Sequence, residues 1–117
     1  MKKIVIFYPS EITGGAEFLL KTIADFLKKD YNLTIVDIND GWLSKNISDV
    51  NKIFIDKNKK IELDDNITLI TTANLIRRLD EFFTGNFSLI GWNIQGFNMI
   101  PILPKLGTIQ HFRIIRI

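Results

Sequence analysis

The sequence predicts an α/β fold, a Rossmann-like three-layer domain that spans residues 1–117 and has a mostly parallel sheet. Short runs of consecutive apolar residues, which are typical of strands buried on both faces, recur along the chain. Segments in which apolar residues recur at helical spacing stand between these runs. The connections are short, and this order of elements favours helices packed on the faces of a parallel sheet.

The first half of the chain has the clearest pattern. Residues 4–8 are apolar on both faces and predict the first strand. Residues 16–29 predict a helix with one apolar side, formed by Leu19, Leu20, Ile23, Phe26 and Leu27. Residues 33–38 predict the second strand, and turn residues end it at 39–41. Residues 42–50 allow a short helix.

Shorter signals predict the next strands. Residues 52–55 and 67–71 are apolar runs that indicate two more strands. The polar segment between them carries a short extended piece at 61–63.

A second helix and a last strand complete the prediction. Residues 73–83 have helical spacing, and Arg77 can pair with Glu81 one turn later. Thr84-Gly85-Asn86 is predicted to end that helix, and residues 87–92 predict the fifth strand. The tail from 109 to 117 has no assignment.

Composition excludes several classes of function. The net charge of +2 is too small to predict a nucleic-acid partner. The chain has no cysteine, which excludes disulfides, cysteine metal sites and thiol nucleophiles, and fits a reducing cytoplasm. No apolar run approaches the ~20 residues of a membrane-spanning helix. His111 is the only histidine, so no metal site is expected, and it is either a general base or a bystander.

Gly14 and Gly15 stand between the first strand and the first helix. Paired glycines let a phosphate or a sugar approach the backbone, and a helix start offers unpaired N–H groups and partial positive charge. The alternative is a turn that only fits the strand against the helix. Phe18 stands where the third glycine of a dinucleotide fingerprint would fall, and no Lys-Ser or Lys-Thr follows the pair. The sequence therefore contains neither that fingerprint nor a Walker-type phosphate loop.

Other residues near the predicted carboxyl ends of the strands are candidates for binding a substrate. Asp37 ends the second strand, 22 residues after Gly15, where an acid can bind a ribose hydroxyl or cap the turn at 39–41. Glu17, in the first helical turn, can contact a sugar hydroxyl or stabilise the helix start. Asn93 and Gln95 follow the last strand and can hydrogen-bond a sugar or cap a turn.

The opening strand, followed by Gly14-Gly15-Ala16-Glu17, an apolar helix and residues 33–37, resembles the N-terminal domain of GT-B glycosyltransferases. The closest likeness is to the retaining, group-4-like enzymes that build bacterial surface polysaccharides, in which a GGAE turn after the first strand is frequent. Residues 91–95 and the proline-containing segment 98–104 also look like this group. The likeness covers most of the chain and is specific mainly up to the second strand.

This resemblance implies the N-terminal, acceptor-side half of a GT-B architecture. Gly14 and Gly15 would approach the donor phosphate, and Glu17 and Asn93 would contact sugar. The partners would be a saccharide or lipid-linked acceptor and a nucleotide-sugar donor, which is a substrate, so no cofactor is expected. The catalytic residues stay unknown, because Asn93 or Gln95 stands where many members have a histidine.

The resemblance also implies a larger enzyme. The C-terminal domain with the nucleotide-sugar site is not among these 117 residues, so the chain is expected to be truncated and not to transfer sugar alone. Its expected location is the cytoplasm, at the inner face of the membrane.

Two rival interpretations stay open. Ser10-x-x-Thr13-Gly14 weakly resembles the phosphate loop of flavodoxin-like proteins, where hydroxyls and N–H groups hold the FMN phosphate. Alternatively, the chain is an inactive truncated domain, held by a partner or by self-association through the apolar segment 97–103. That segment could instead pack on the sheet, bind the missing C-terminal domain or touch a membrane surface.

Overall fold

The computed structural model describes residues 2–10, 15–56, 58–93, 98–99 and 109–114, and for 15, 73, 92–93, 98–99 and 109–114 it describes the backbone alone. The chain divides into two compact units, Met1–Ile55 and Asp56–Ile117. Both units combine mostly parallel strands with helices, which confirms the predicted α/β class and is consistent with a Rossmann-like domain. A single domain over 1–117 and a GT-B architecture stay predictions.

The first unit alternates strands and helices. Its elements are β1 (Lys3–Phe7), α1 (Gly15–Leu27), β2 (Asn32–Asp37), α2 (Trp42–Asn46) and β3 (Asn51–Phe54). β2 pairs in parallel with both β1 and β3, with Ile4 beside Leu33 and Val36 beside Ile53. Parallel neighbours need a crossover connection, which α1 supplies for the first pair. The carboxyl ends of β1 and β2 therefore meet at one edge.

Apolar side chains from strands and helices form the core of the first unit. The largest of those that are almost fully buried are Ile6, Phe7, Leu20, Ile35, Leu43 and Ile47. Ala24 is also fully buried, one turn after Leu20, so these two residues define the inward side of α1.

The prediction that Phe26 belongs to the apolar side of α1 was wrong, because 69% of this residue is exposed. Thr22 lies one turn earlier on the same outward stripe, and Phe18, 57% exposed, lies two turns earlier. Apolar residues stand on more than one side of α1, and periodicity alone did not show which side packs inward.

The second unit is built around one long strand. Its elements are β4 (Ile61–Leu63), β5 (Ile67–Thr72), a 3₁₀ helix (Ala73–Arg78), α3 (Leu79–Phe82), β6 (Phe83–Asn93), β7 (Asn98–Met99) and β8 (Ile109–Ile114). β6 pairs in parallel with β4, β5 and β8, and antiparallel with β7. In the described ranges, no helix is both long enough and apolar enough to cross a membrane.

The predicted helix over 73–83 was wrong in type and in its end. The segment is a 3₁₀ helix followed by a single α-turn, and β6 begins at Phe83, four residues before the predicted strand. Residues 83–85 pair with β4, so the residues predicted to end the helix and to begin the turn belong to the sheet. Long-range pairing has therefore overridden the local helical pattern.

The predicted ion pair in this segment was also wrong. Arg78 Nε, not Arg77, lies 3.1 Å from Glu81 Oε2. Residues three apart align in a 3₁₀ helix, whereas the Arg77 spacing requires a continuous α-helix.

Candidate functional site

The carboxyl ends of β1 and β2 carry the loops that the sequence marks as candidates. Backbone hydrogen bonds join these loops to each other. The Tyr8 N–H donates to the Val36 carbonyl (3.2 Å), and the Trp42 N–H donates to the Ser10 carbonyl (3.1 Å). The residues that leave β1 are therefore held against β2 and the start of α2.

Asp37 is fully buried at this edge, and its carboxylate accepts four hydrogen bonds. Oδ1 accepts from the backbone N–H groups of Ser10 (2.8 Å) and Ile38 (2.7 Å). Oδ2 accepts from the Ser10 hydroxyl (2.6 Å) and the Ser44 N–H (3.1 Å). A carboxylate has about four lone-pair positions, so none is left for a ribose hydroxyl. Asp37 is a structural residue, and its partners lie outside the predicted turn at 39–41.

The same network caps α2. Gly41 precedes the helix and has no side chain with which to cap it. The N–H groups of Leu43 and Ser44 instead donate to Ser10 Oγ (2.9 Å) and Asp37 Oδ2 (3.1 Å). An N-cap side chain normally accepts from these two positions of a helix. Here Ser10 and Asp37, which precede α2 by several residues or more, cap the helix instead.

Gly41→Ala is expected to lower the free energy of unfolding by about 2 kcal/mol, because the added methyl overpacks the Asp37 site. A Cβ at Gly41 would lie 2.1 Å from Asp37 Oδ2 and 2.2 Å from its Cγ. The Gly41 φ of −66° suits alanine, so the loss would be steric. Urea unfolding measures it. In an Asp37→Ala background the same change should cost less than about 0.5 kcal/mol, and an equal cost in both backgrounds would contradict this explanation.

Glu17 is a second buried carboxylate in this unit, with 4% of its surface exposed. It lies in the first turn of α1 and hydrogen-bonds the hydroxyl of Tyr8, the residue that follows β1. Burial raises the pKa of Tyr8, and the charge of Glu17 and this hydrogen bond raise it further. The carboxylate therefore lies both at the positive start of α1, where the helix dipole stabilises it, and beside the hydroxyl of Tyr8.

Comparisons with known proteins find no match: no family model, no curated protein and no solved structure matches the chain. A function for this chain is therefore argued from the geometry of its own residues.

The structure brings together two of the predicted site residues. Gly15 is the first residue of α1, and Glu17 follows in the same turn. Gly14 and Gln95 lie outside the described residues. Asn93 ends β6 in the second unit and is described by its backbone alone. Sugar contacts by these residues stay predictions.

The remaining predictions concern the end of the chain. The backbone of His111 lies in β8, and its side chain is outside the described part of the structure. Of the apolar segment 97–103, only the backbone of 98–99 is described. Its packing and its partners stay predictions.

Sequence reasoning missed the two residues that hold the carboxylates in place. Tyr8 was assigned only to the first strand, and Ser10 only to a phosphate loop. The signal in the sequence was that both are hydroxyl-bearing residues close to the carboxyl end of the first buried strand.

Other features of the described residues are weaker candidates. Among them, no group of three or more His, Cys, Asp or Glu could hold a metal ion. A shallow groove of about 470 Å³ lies at the amino ends of β2 and β3, lined by Tyr31, Asn32, Leu33, Asp49, Val50 and Asn51. This groove is at the opposite end of β2 from Asp37. Ligands of parallel sheets bind at the carboxyl ends, so the edge with Glu17 is the stronger candidate.

Proposed function

We propose that this chain is the acceptor-side domain of a glycosyltransferase and binds a saccharide at the carboxyl end of β1. The full enzyme would move a sugar from a nucleotide-sugar to a saccharide or lipid-linked acceptor in surface polysaccharide synthesis. The observation that carries the proposal is the buried Glu17 carboxylate beside Tyr8. Burying an ionised carboxylate is costly unless hydrogen bonds compensate it, and sugar hydroxyls can supply such bonds.

The chemistry of the pair suits a sugar. A carboxylate offers about four lone-pair positions, so Glu17 can accept from Tyr8 and from sugar hydroxyls together. Tyr8 is only partly buried and supplies an aromatic residue beside the carboxylate. A few convergent polar groups next to an aromatic surface are typical of small-molecule sites.

The start of α1 suits the donor. α1 has 13 residues and begins at Gly15, so its first N–H groups and its dipole favour a negative group there. In the proposed enzyme these N–H groups would stabilise the diphosphate that leaves the sugar. A second Rossmann-like domain would bind the rest of the nucleotide-sugar.

The hydrogen bonds of the Ser10 hydroxyl argue against the flavodoxin-like alternative. The hydroxyl donates to Asp37 Oδ2 (2.6 Å) and accepts from the Leu43 N–H (2.9 Å). A hydroxyl engaged in this way has no proton left to donate to a phosphate. This observation favours the saccharide site over an FMN-phosphate loop.

Glu17→Gln tests the proposal. Ligand-observed NMR would follow binding of UDP-glucose and of a panel of free disaccharides to the 117-residue chain. Hydrogen bonds to a charged acceptor contribute about 1.5–3 kcal/mol, so the variant should bind the disaccharides at least about tenfold more weakly. Glu62→Gln, at an exposed position of β4, is the matched control and should leave binding unchanged. Equal binding by the Glu17 and Glu62 variants, or no binding by the natural sequence, would exclude this site.

The Tyr8 titration checks that Glu17→Gln acts locally. Tyr8 and Tyr31 are the two tyrosines of the chain, so in a Tyr31→Phe background phenolate absorbance reports Tyr8 alone. Because the charge of Glu17 opposes ionisation of the phenol, Glu17→Gln should lower the pKa of Tyr8. An unchanged pKa would show that the two side chains do not interact in solution.

A further inference from the structure

Phe18 and Trp42 form an aromatic pair at the carboxyl ends of β1 and β2. Phe18 lies near the start of α1, and Trp42 is the first residue of α2. Their ring centroids are 5.1 Å apart and their planes are inclined at 64°, which is an edge-to-face contact. Phe18 is 57% exposed, so much of its ring surface stays open to a ligand.

A second exposed phenylalanine shows what is particular to this pair. Phe26, two turns later on α1, is 69% exposed and has no ring contact among the described residues. Single exposed apolar residues are normal on protein surfaces and indicate no ligand. Phe18 differs because it is held against a second ring, at the sheet edge where ligands of parallel sheets bind.

The backbone holds Trp42 in place. Its N–H donates to the Ser10 carbonyl at 3.1 Å, and its own carbonyl accepts from Asn46 Nδ2 at 2.7 Å. The N–H of Leu43, the next residue, donates to Ser10 Oγ at 2.9 Å. A ring on a fixed backbone loses little freedom when a ligand stacks on it, so the aromatic pair is preorganised for binding.

The segments that carry the aromatic pair also carry the Tyr8–Glu17 pair. Phe18 directly follows Glu17 in α1. Trp42 is bonded to Ser10, which lies two residues after Tyr8. A ligand bound at the Glu17 carboxylate is therefore within reach of the two rings.

The chemistry of the aromatic pair suits a pyranose ring. Such a ring has a rim of hydroxyl groups and apolar faces made of C–H bonds, and the weakly positive C–H groups favour the negative face of an aromatic ring. Within the described part of the chain, the indole N–H of Trp42 donates to no acceptor, so it is available to a sugar hydroxyl. Neither ring carries a charge, which favours a neutral sugar.

We propose that Phe18 and Trp42 are a stacking subsite for a neutral pyranose, as part of the saccharide site proposed above, on which this subsite rests. One sugar ring lies with its C–H face against the aromatic pair, and the indole N–H donates to one of its hydroxyls. The hydroxyls of the same saccharide bond Glu17. The substrate class is therefore a neutral saccharide with an open C–H face, as in β-linked glucose or galactose.

Cellobiose and lactose are the probes, because both present such faces, and ligand-observed NMR follows their binding to the 117-residue chain. Phe18→Leu keeps an apolar side chain but removes the ring, and should weaken binding of both at least about fivefold. Phe18→Tyr keeps the ring and should bind as the natural sequence does. Trp42→Phe removes the indole N–H and should weaken binding at least about threefold. Phe26→Leu is the matched control and should change nothing.

Uridine is the third probe, because nucleobases also stack on aromatic side chains. Its binding should be equal in Phe18→Leu and the natural sequence. Weaker uridine binding in Phe18→Leu, with the disaccharides unaffected, would show that the rings hold a nucleobase and would overturn the proposal. Circular dichroism would confirm that each variant is folded.

The Glu17→Gln variant separates this subsite from the site on which it rests. Weaker disaccharide binding in Glu17→Gln, with Phe18→Leu or Trp42→Phe unchanged, would overturn the aromatic subsite and leave the saccharide site standing. No disaccharide binding by the natural sequence would overturn both. Weaker binding in Phe18→Leu and Trp42→Phe, with Glu17→Gln unchanged, would contradict the Glu17 site and the joint arrangement.

Discussion

Asp37→Ala is expected to lower the free energy of unfolding by about 4 kcal/mol, because it leaves buried hydrogen-bond donors without an acceptor. The donors are the Ser10 N–H and hydroxyl, the Ile38 N–H and the Ser44 N–H. Water does not reach this fully buried position, so the donors lose their partner outright. A loss of this size is a large part of the free energy of unfolding of a folded domain, which is typically about 5–15 kcal/mol.

Urea unfolding of Asp37→Ala, with Asp30→Ala as the control, measures this effect. Asp30 is exposed at the end of the first crossover, so its removal should change stability by less than about 0.5 kcal/mol. Asp37→Asn should lose nearly as much stability as Asp37→Ala, because its amide group turns a donor toward the existing donors. Full stability in the asparagine variant would show that the network does not require a carboxylate.

Gly85→Ala is expected to lower the free energy of unfolding by about 3 kcal/mol, through backbone strain together with overpacking. Gly85 has a φ of +108°, a conformation that residues with a side chain rarely adopt. A Cβ there would lie 2.1 Å from the carbonyl oxygen of Leu63, the residue paired with Gly85 between β4 and β6. The obstacle is backbone, so no rotamer change relieves it, and β4 would have to separate from β6.

Asn86→Ala is the matched control for the Gly85 variant. Asn86 is the next residue of β6 and is exposed, so Asn86→Ala should change the free energy of unfolding by no more than about 0.5 kcal/mol. In Gly85→Ala, amide hydrogen exchange should show reduced protection of the backbone amides of β4 and of the start of β6. Protection of β4 equal to that of the natural sequence would contradict this account.

Most strands were predictable because their signal is local. β1, β2, β3 and β5 lie within a residue or two of the predicted runs. β1, β2 and β5 are largely buried, and a strand buried on both faces needs consecutive apolar residues wherever it occurs. β3 is exposed, but its short apolar run was enough to indicate a strand. The start of β6 was not predictable in this way. Phe83 was predicted as the end of a helix and residues 84–86 as the turn after it, and only pairing with β4 makes 83–85 a strand.

The candidate site was also predictable only in part. Glu17 and Asp37 were recognisable as acids next to the predicted carboxyl ends of strands. Their different roles were not recognisable, because the contact between Ser10 and Asp37 joins residues 27 apart in the chain. Parallel pairing of β1 with β2 creates that contact, and with it the burial that makes Asp37 a structural residue.

The sequence by itself determined the α/β class, the order of the main strands and the glycine-containing turn before α1, because each depends on the periodicity and turn chemistry of neighbouring residues. The tertiary structure alone decided which side of α1 is buried, that a strand begins at Phe83, and which partners bind each carboxylate. These properties depend on contacts between residues far apart in the chain, and a local pattern carries no information about such contacts until strand pairing brings the residues together.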